Sequence, residues 1–375
     1  EVRDATREDL RGCIRMVESY GLSGYYPVIP QDVPSLMRVL AVFKICWEMS
    51  EKIRPWDYTD IRQVPFLYEM HRAMGKPFPI NICVPQPLTV DEYTLDYLLL
   101  MHDAWKKNGD VFLTVGDYPM LGISKPVTST GCFTMTLANR LALKLLFQAF
   151  DPTLELGIGS SAGQPTDLRA VCWAWGSPRG HLYRYLDERF WPLLCGVEDG
   201  VYLPTVAHFE SSSSAVDEQA ALEKMAVGLL AALHGVRFFR GAGSLCVDDL
   251  YSPVQFIIDL EIFRYIRETV EAFRPHPDVL ALDGLYEVCR DCVRGDDQFI
   301  SHPDTVSRFR NVLPSLGLIR REKLRAWLAH REVLADRARA EAIERMKAPQ
   351  TFHLPEDRQK ELDRIYARAA RTLTE

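Results

Sequence analysis

Long apolar runs are missing from this chain. A membrane-spanning helix needs roughly 20 such residues in succession, and the most apolar stretch, Leu141–Phe150, is interrupted by Lys144 and Gln148. An excess of positive charge is missing too. Lys and Arg total 44 against 51 Asp and Glu, a net charge of −7, which argues against nucleic acid as the main partner. There is no Gly-x-x-x-x-Gly-Lys-Ser/Thr phosphate loop and no His-Glu-x-x-His pair. Gly157-x-Gly159-x-x-x-Gly163 has the wrong spacing for a dinucleotide fingerprint. Cys289-Arg-Asp-Cys292 stands without the two further ligands a zinc site needs and reads as a coincidence on a helix, so no bound metal is expected. The nine cysteines are odd in number and mostly embedded in apolar patterns, such as Cys46, Cys132 and Cys246. With no secretory segment, reduced thiols and a cytoplasmic location are expected.

What is present suits a soluble globular protein, with 47% apolar and 25% charged residues. The length allows one large α/β domain with additions, or two ordinary ones. Helices are expected over 6–20, with Thr6 as N-cap, over 33–53 and over 67–74. From Pro79 the texture changes to alternating strands and helices. Strand starts fall near residues 80, 111, 154, 200 and 236, roughly 30–45 residues apart, the interval of a βα unit. A further strand is expected near 298–300. Polar or glycine-rich loops follow every strand rather than one switch point, so the expected fold is a (β/α)8 TIM-type barrel. It would span 79–320, with an N-terminal helical segment over 1–78 and a charged C-terminal helical extension over 321–375.

The most informative stretch is Gly200–Phe263. A β-rich run ends in His208-Phe-Glu210 and Ser211–Ser214, followed by a helix whose apolar face is expected to be Leu222, Met225, Leu229 and Leu233. A second strand leads into Arg240-Gly-Ala-Gly-Ser-Leu245, then a further helix. On a barrel the loops would bring Asp117, Tyr118, Thr130, Ser160, His208, Glu210 and Arg240 to one mouth. That is a polar pocket without a nucleophile–base pair. Trp173 is the aromatic candidate to line a cage for a quaternary ammonium, although core packing explains most such rings. Glu223, Lys224, Asp259 and Glu261 read as helix packing or solvated faces.

These loops carry a resemblance. Lys125-Pro-Val-Thr-Ser-Thr-Gly131, Asp167-Leu-Arg169, Gln219-Ala-Ala-Leu-Glu-Lys224, Ala242-Gly-Ser-Leu245, Asp259-Leu-Glu-Ile262 and Phe299-Ile-Ser-His302-Pro-Asp-Thr305 follow in order. By them the chain resembles the trimethylamine methyltransferase (MttB-like) superfamily of corrinoid-dependent methyltransferases over nearly its whole length. It departs at Arg179, where the family usually has Glu, and the family pattern begins before Glu1. It contains no pyrrolysine, so the nearer likeness is to members resembling quaternary-amine (glycine betaine type) methyltransferases.

The resemblance implies methyl transfer from a quaternary or tertiary methylamine to cobalamin. No Asp-x-His-x-x-Gly corrinoid motif is present, so the corrinoid is expected on a separate partner protein and none on this chain. It implies Glu210 and Asp117 as the catalytic carboxylates facing the ammonium, and Arg240 as a carboxylate clamp. Tyr118, Thr130, Ser160, His208 and Trp173 would complete the substrate pocket. Neither nucleic acid nor membrane is an expected partner, and a homo-oligomer is compatible with the chain. The competing classes are a corrinoid-independent barrel lyase or decarboxylase, and a non-catalytic quaternary-ammonium binder.

Overall fold

The computed structural model describes residues 2–55, 60–83, 88–108, 111–116, 120–153, 157–158, 164–183, 185–186, 206–272, 277, 280–313 and 316–374. Its first helix, Arg7–Ser19, starts where the sequence says it should. Thr6 accepts the Asp9 amide through its side chain at 3.2 Å, and Asp9 accepts the Thr6 amide at 2.8 Å. This reciprocal box satisfies two amides that a helix start otherwise orphans. The Arg3 guanidinium, with both nitrogens on the Asp9 carboxylate, holds that acid far below the usual carboxylate range.

The helix Arg38–Met49 is apolar nearly all round because it serves two cores. Val39, Leu40, Phe43 and Trp47 face a cluster with Leu67, Met70, Phe78, Tyr97 and Phe147. Val42, Ile45, Cys46 and Met49 face Leu10, Ile14, Phe256 and Ile257. The last helices complete both clusters: Leu362, Ile365 and Ala369 of Glu356–Thr374 fill the first, Ala338 and Ala342 of Leu334–Met346 the second. The charged C-terminal stretch is therefore a wall of the N-terminal core. No helix among the described residues is long and apolar enough to cross a membrane.

Within the first core, His71 is buried among the ring edges of Phe43, Trp47 and Phe78. Burial lowers its pKa from 6.5 to about 4. Between those values the unfolded chain takes up a proton that the folded protein refuses, so this contribution is complete above pH 6.5 and is lost as pH falls toward 4. The loss approaches about 3 kcal/mol. Denaturant unfolding from neutral to mildly acid pH should show this slope, and His71→Phe should flatten it.

Two sets of strands are parallel. Phe78–Cys83 pairs with Val111–Gly116, which pairs with Gly157–Ile158, and the helices Glu92–Asn108 and Ser129–Phe150 lie between them in sequence. Val206–His208 pairs with Phe238–Arg240 across the helix Glu218–Leu233, and the helix Pro253–Ala272 follows. The described residues form these as separate sheets, with no closed ring joining them. Gln298–Ile300 is not a strand. It lies in the turn before the helix Pro303–Val312.

The helix Glu218–Leu233 also differs from its expected orientation. Leu222 is 71% and Leu233 52% exposed, while Ala220, Lys224, Val227, Gly228 and Ala231 point inward. Size decides the matter. A Cβ on Gly228 would stand 2.8 Å from the Phe209 ring and 2.5 Å from Ile266, so the packed face takes small residues and the leucines fall on the flanks.

Candidate functional site

The site grows from the parallel pair Val206–His208 and Phe238–Arg240. Alternation along an extended chain sends Ala207 and Phe209 to one side and His208 and Glu210 to the other. Ala207 and Phe209 are fully buried, and Phe209 packs on Phe239 and Phe263. Register places His208 beside Arg240, and the Phe209 amide donates to the Arg240 carbonyl at 2.7 Å. The three polar side chains then form a chain of contacts. Arg240 reaches both ring nitrogens of His208, Nε2 through Nη2 and Nδ1 through Nε at 3.4 Å, and Nδ1 also stands 3.0 Å from Glu210 Oε1. Arg240 makes no ion pair with a carboxylate among the described residues.

Glu210 is only 5% exposed, and its second oxygen, Oε2, has no hydrogen-bond partner among the described residues. A buried carboxylate oxygen left this way is costly without a ligand or a cation to meet it. Aromatic rings close in on its partner His208. The Trp175 ring stacks on His208 at 5.5 Å and 13°, and Trp173 meets Trp175 edge-on at 6.0 Å. Trp173 ends the antiparallel pair Thr166–Asp167 and Cys172–Trp173, and Trp175 lies in the turn that follows. Ser212 Oγ tethers that turn by donating to the Trp173 and Trp175 carbonyls at 3.2 and 3.3 Å.

The serine run is an anchor. Ser211 Oγ and the Ser212 amide both donate to Glu223 Oε2, at 2.6 and 2.8 Å. Ser213 Oγ donates to Asp217, which caps the helix Glu218–Leu233. The Cys246 and Val247 amides donate to the Ser213 and Ser211 carbonyls at 2.7 and 3.0 Å. Cys246, Val247 and Asp248 all have positive φ, 50°, 60° and 88°. For a β-branched valine this is a strained conformation of order 1–3 kcal/mol, and the surrounding hydrogen bonds must impose it. The turn brings Asp248 to the wall of the cavity that Arg240 lines. Desolvation there pushes its carboxyl up, and Glu210 adds to the rise.

Gly241 sits against Glu210. Its φ is +88°, and a Cβ would lie 2.9 Å from Oε1 and 3.0 Å from the carboxyl carbon. Gly241→Ala should therefore displace the carboxylate and cost about 1–2 kcal/mol from the left-handed backbone alone, readable in denaturant unfolding. Arg240 and Gly241 line a groove of about 1620 Å³ with Tyr25, Tyr26, Asp248 and Tyr251. The arrangement offers a cation one acid and two ring systems, and offers an anion a guanidinium beside them. Among the described residues no group of three His, Cys, Asp or Glu could hold a metal ion.

Of the residues expected from sequence, His208, Glu210, Arg240 and Trp173 come together here. Thr130 does not. It is exposed in the first turn of Ser129–Phe150, its carbonyl taken by Thr134 Oγ1 at 2.8 Å, and no hydrogen bond among the described residues joins it to the group. Asp117, Tyr118 and Ser160 lie outside the described residues.

The family model described as Trimethylamine methyltransferase (MTTB) matches residues 1–373. The chain belongs to the trimethylamine methyltransferase family. It is similar to two proteins named Trimethylamine methyltransferase MttB. One, from Methanosarcina barkeri (strain Fusaro / DSM 804), is 26% identical over 233 residues, covering 62% of this chain and 44% of that protein. The other, from Methanosarcina barkeri, is 26% identical over 236 residues with the same coverage. The match thus spans less than half the length of either relative.

Sequence reasoning about this family member missed Trp175 as the ring on His208, and Glu223 as the anchor of the serines. Trp175 had a signal in its two-residue spacing from Trp173. Glu223 had one in a helix position facing a serine run, where a carboxylate can accept both hydroxyl and amide donors.

Proposed function

We propose that this chain binds a quaternary (or tertiary) methylamine such as glycine betaine and presents one N-methyl group for transfer to a reduced corrinoid carried by a separate protein. We further propose that its strands close into a (β/α)8 barrel over 79–320, with helical segments before and after. The observation that carries the functional reading is the buried Glu210 carboxylate, with one oxygen unpartnered among the described residues and the other facing His208, on whose ring Trp175 stacks. A methylated ammonium has no N–H to donate. It is held by charge and by ring faces, each worth about 0.5–2 kcal/mol, and this group supplies both. Arg240, which makes no ion pair with a carboxylate among the described residues, suits the acid end of a zwitterion.

The corrinoid would supply the nucleophilic electron pair, and the groove lined by Arg240 and Gly241 leaves room for so bulky an acceptor. From a quaternary amine the C–N bond would break as the methyl carbon bonds to the corrinoid, the bonding pair staying on nitrogen so that a neutral tertiary amine leaves without a proton; a tertiary amine would have to enter protonated to leave as a neutral secondary amine. Glu210, Trp175 and Arg240 hold the amine so that one methyl faces the groove, and the rings exclude water from the cation.

The test is direct. The purified protein is mixed with glycine betaine, carnitine or proline betaine and with a reduced corrinoid protein, and methyl transfer is followed by the corrinoid absorbance change. Turnover without corrinoid would point to the lyase class, and tight binding without demethylated product to a binding protein. Either outcome overturns the proposal.

A further inference from the structure

Behind the site lies an ion pair that the proposed transfer does not use. Lys224 Nζ and Asp259 Oδ2 are 2.7 Å apart, and both side chains are fully buried. Asp259 also accepts the Gly243 amide through Oδ2 and Gln255 Nε2 through Oδ1, each at 2.7 Å. Lys224 donates to the Gly241 carbonyl at 3.4 Å and stands 5.3 Å over the Phe209 ring. Both ends of the short loop after Arg240 are thus held from beneath.

The residue before Lys224 is Glu223, which holds the Ser211 hydroxyl and the Ser212 amide immediately after Glu210. Adjacent residues of one helix therefore grip the two halves of the site: Glu223 the segment bearing the carboxylate, Lys224 the loop following the guanidinium. A buried ion pair is a poor source of stability compared with apolar side chains of the same volume, because both charges give up water. What it supplies is a fixed, directional anchor.

We propose that the Lys224–Asp259 pair is a positioning device that sets the spacing between the Glu210 carboxylate and the Arg240 guanidinium, and so favours amines bearing a carboxylate over those without one. The claim rests on the functional reading above. Glu210 alone can hold a bare ammonium; only a correctly spaced Arg240 can add the acid end of a zwitterion.

The experiment compares binding of glycine betaine and tetramethylammonium by calorimetry, with thermal melting of the same samples. In the wild-type protein betaine should bind more tightly. In the exchange Lys224→Met with Asp259→Leu, the protein should melt close to wild type while the betaine preference falls about tenfold or more, most of it from the betaine arm. Gln255→Leu, which leaves both charges in place, should move the ratio in the same direction by about threefold, and it decides the matter if the exchange does not fold. An unchanged ratio in the folded variants, with the wild type binding both amines, overturns the positioning role alone. A wild-type protein that binds neither amine overturns the functional reading and this claim with it.

Discussion

Glu210→Gln is expected to raise KM for a quaternary methylamine by about two orders of magnitude and to leave kcat within about threefold. The size follows from burial. Removing the charged partner of a desolvated cation costs about 2–5 kcal/mol, and Glu210 is 5% exposed with one oxygen unpartnered among the described residues. The split between the two constants follows from the direction of charge flow. As the C–N bond breaks, positive charge leaves the nitrogen, so a carboxylate holds the substrate at least as tightly as the transition state. Its loss then weakens binding without slowing the chemical step. The glutamine amide keeps the shape of the carboxylate and can meet His208 Nδ1 as either acceptor or donor, which keeps the geometry. Steady-state kinetics with the corrinoid absorbance readout give both constants. A fall in kcat at unchanged KM would show Glu210 acting on the breaking bond and would remove it as the binding carboxylate.

Asp259→Leu alone is expected to be the most destabilising single change around the site, by about 3–5 kcal/mol, because it strands the Lys224 ammonium in an apolar interior. The Gly243 amide and Gln255 Nε2 lose their acceptor at the same time. Adding Lys224→Met to that variant should recover most of the loss, since two apolar side chains of similar volume replace two desolvated ions. Urea unfolding of both single variants and the double variant closes the cycle. If the two single losses simply add in the double, Lys224 and Asp259 are not energetically coupled.

Local chemistry was the most legible part of the sequence. Thr6 announced its helix because a hydroxyl before an acidic first turn has few other uses. His208 and Glu210 could be grouped because they directly follow a strand, where a β/α fold collects its polar loops. The orientation of Glu218–Leu233 was not legible from hydropathy, since the face against Phe209 is chosen for smallness and carries a charged Lys224. Nor could Trp173 be told from Trp175 as the ring on His208, because Trp175 is aimed by the turn that follows the short strand ending at Trp173. Thr130 went elsewhere because its role is local to a helix start, where Thr128 Oγ1 accepts the Gly131 amide at 3.3 Å.

The shared walls of the N-terminal core have a consequence for how the chain matures. Leu10 and Ile14 precede their partners Ala338 and Ala342 by more than three hundred positions, and Leu362 and Ile365 close the neighbouring cluster later still. Contacts so distant must wait on a large loop closure. The leading helices therefore emerge from the ribosome with their oily sides uncovered, a long interval in which a chaperone has something to hold.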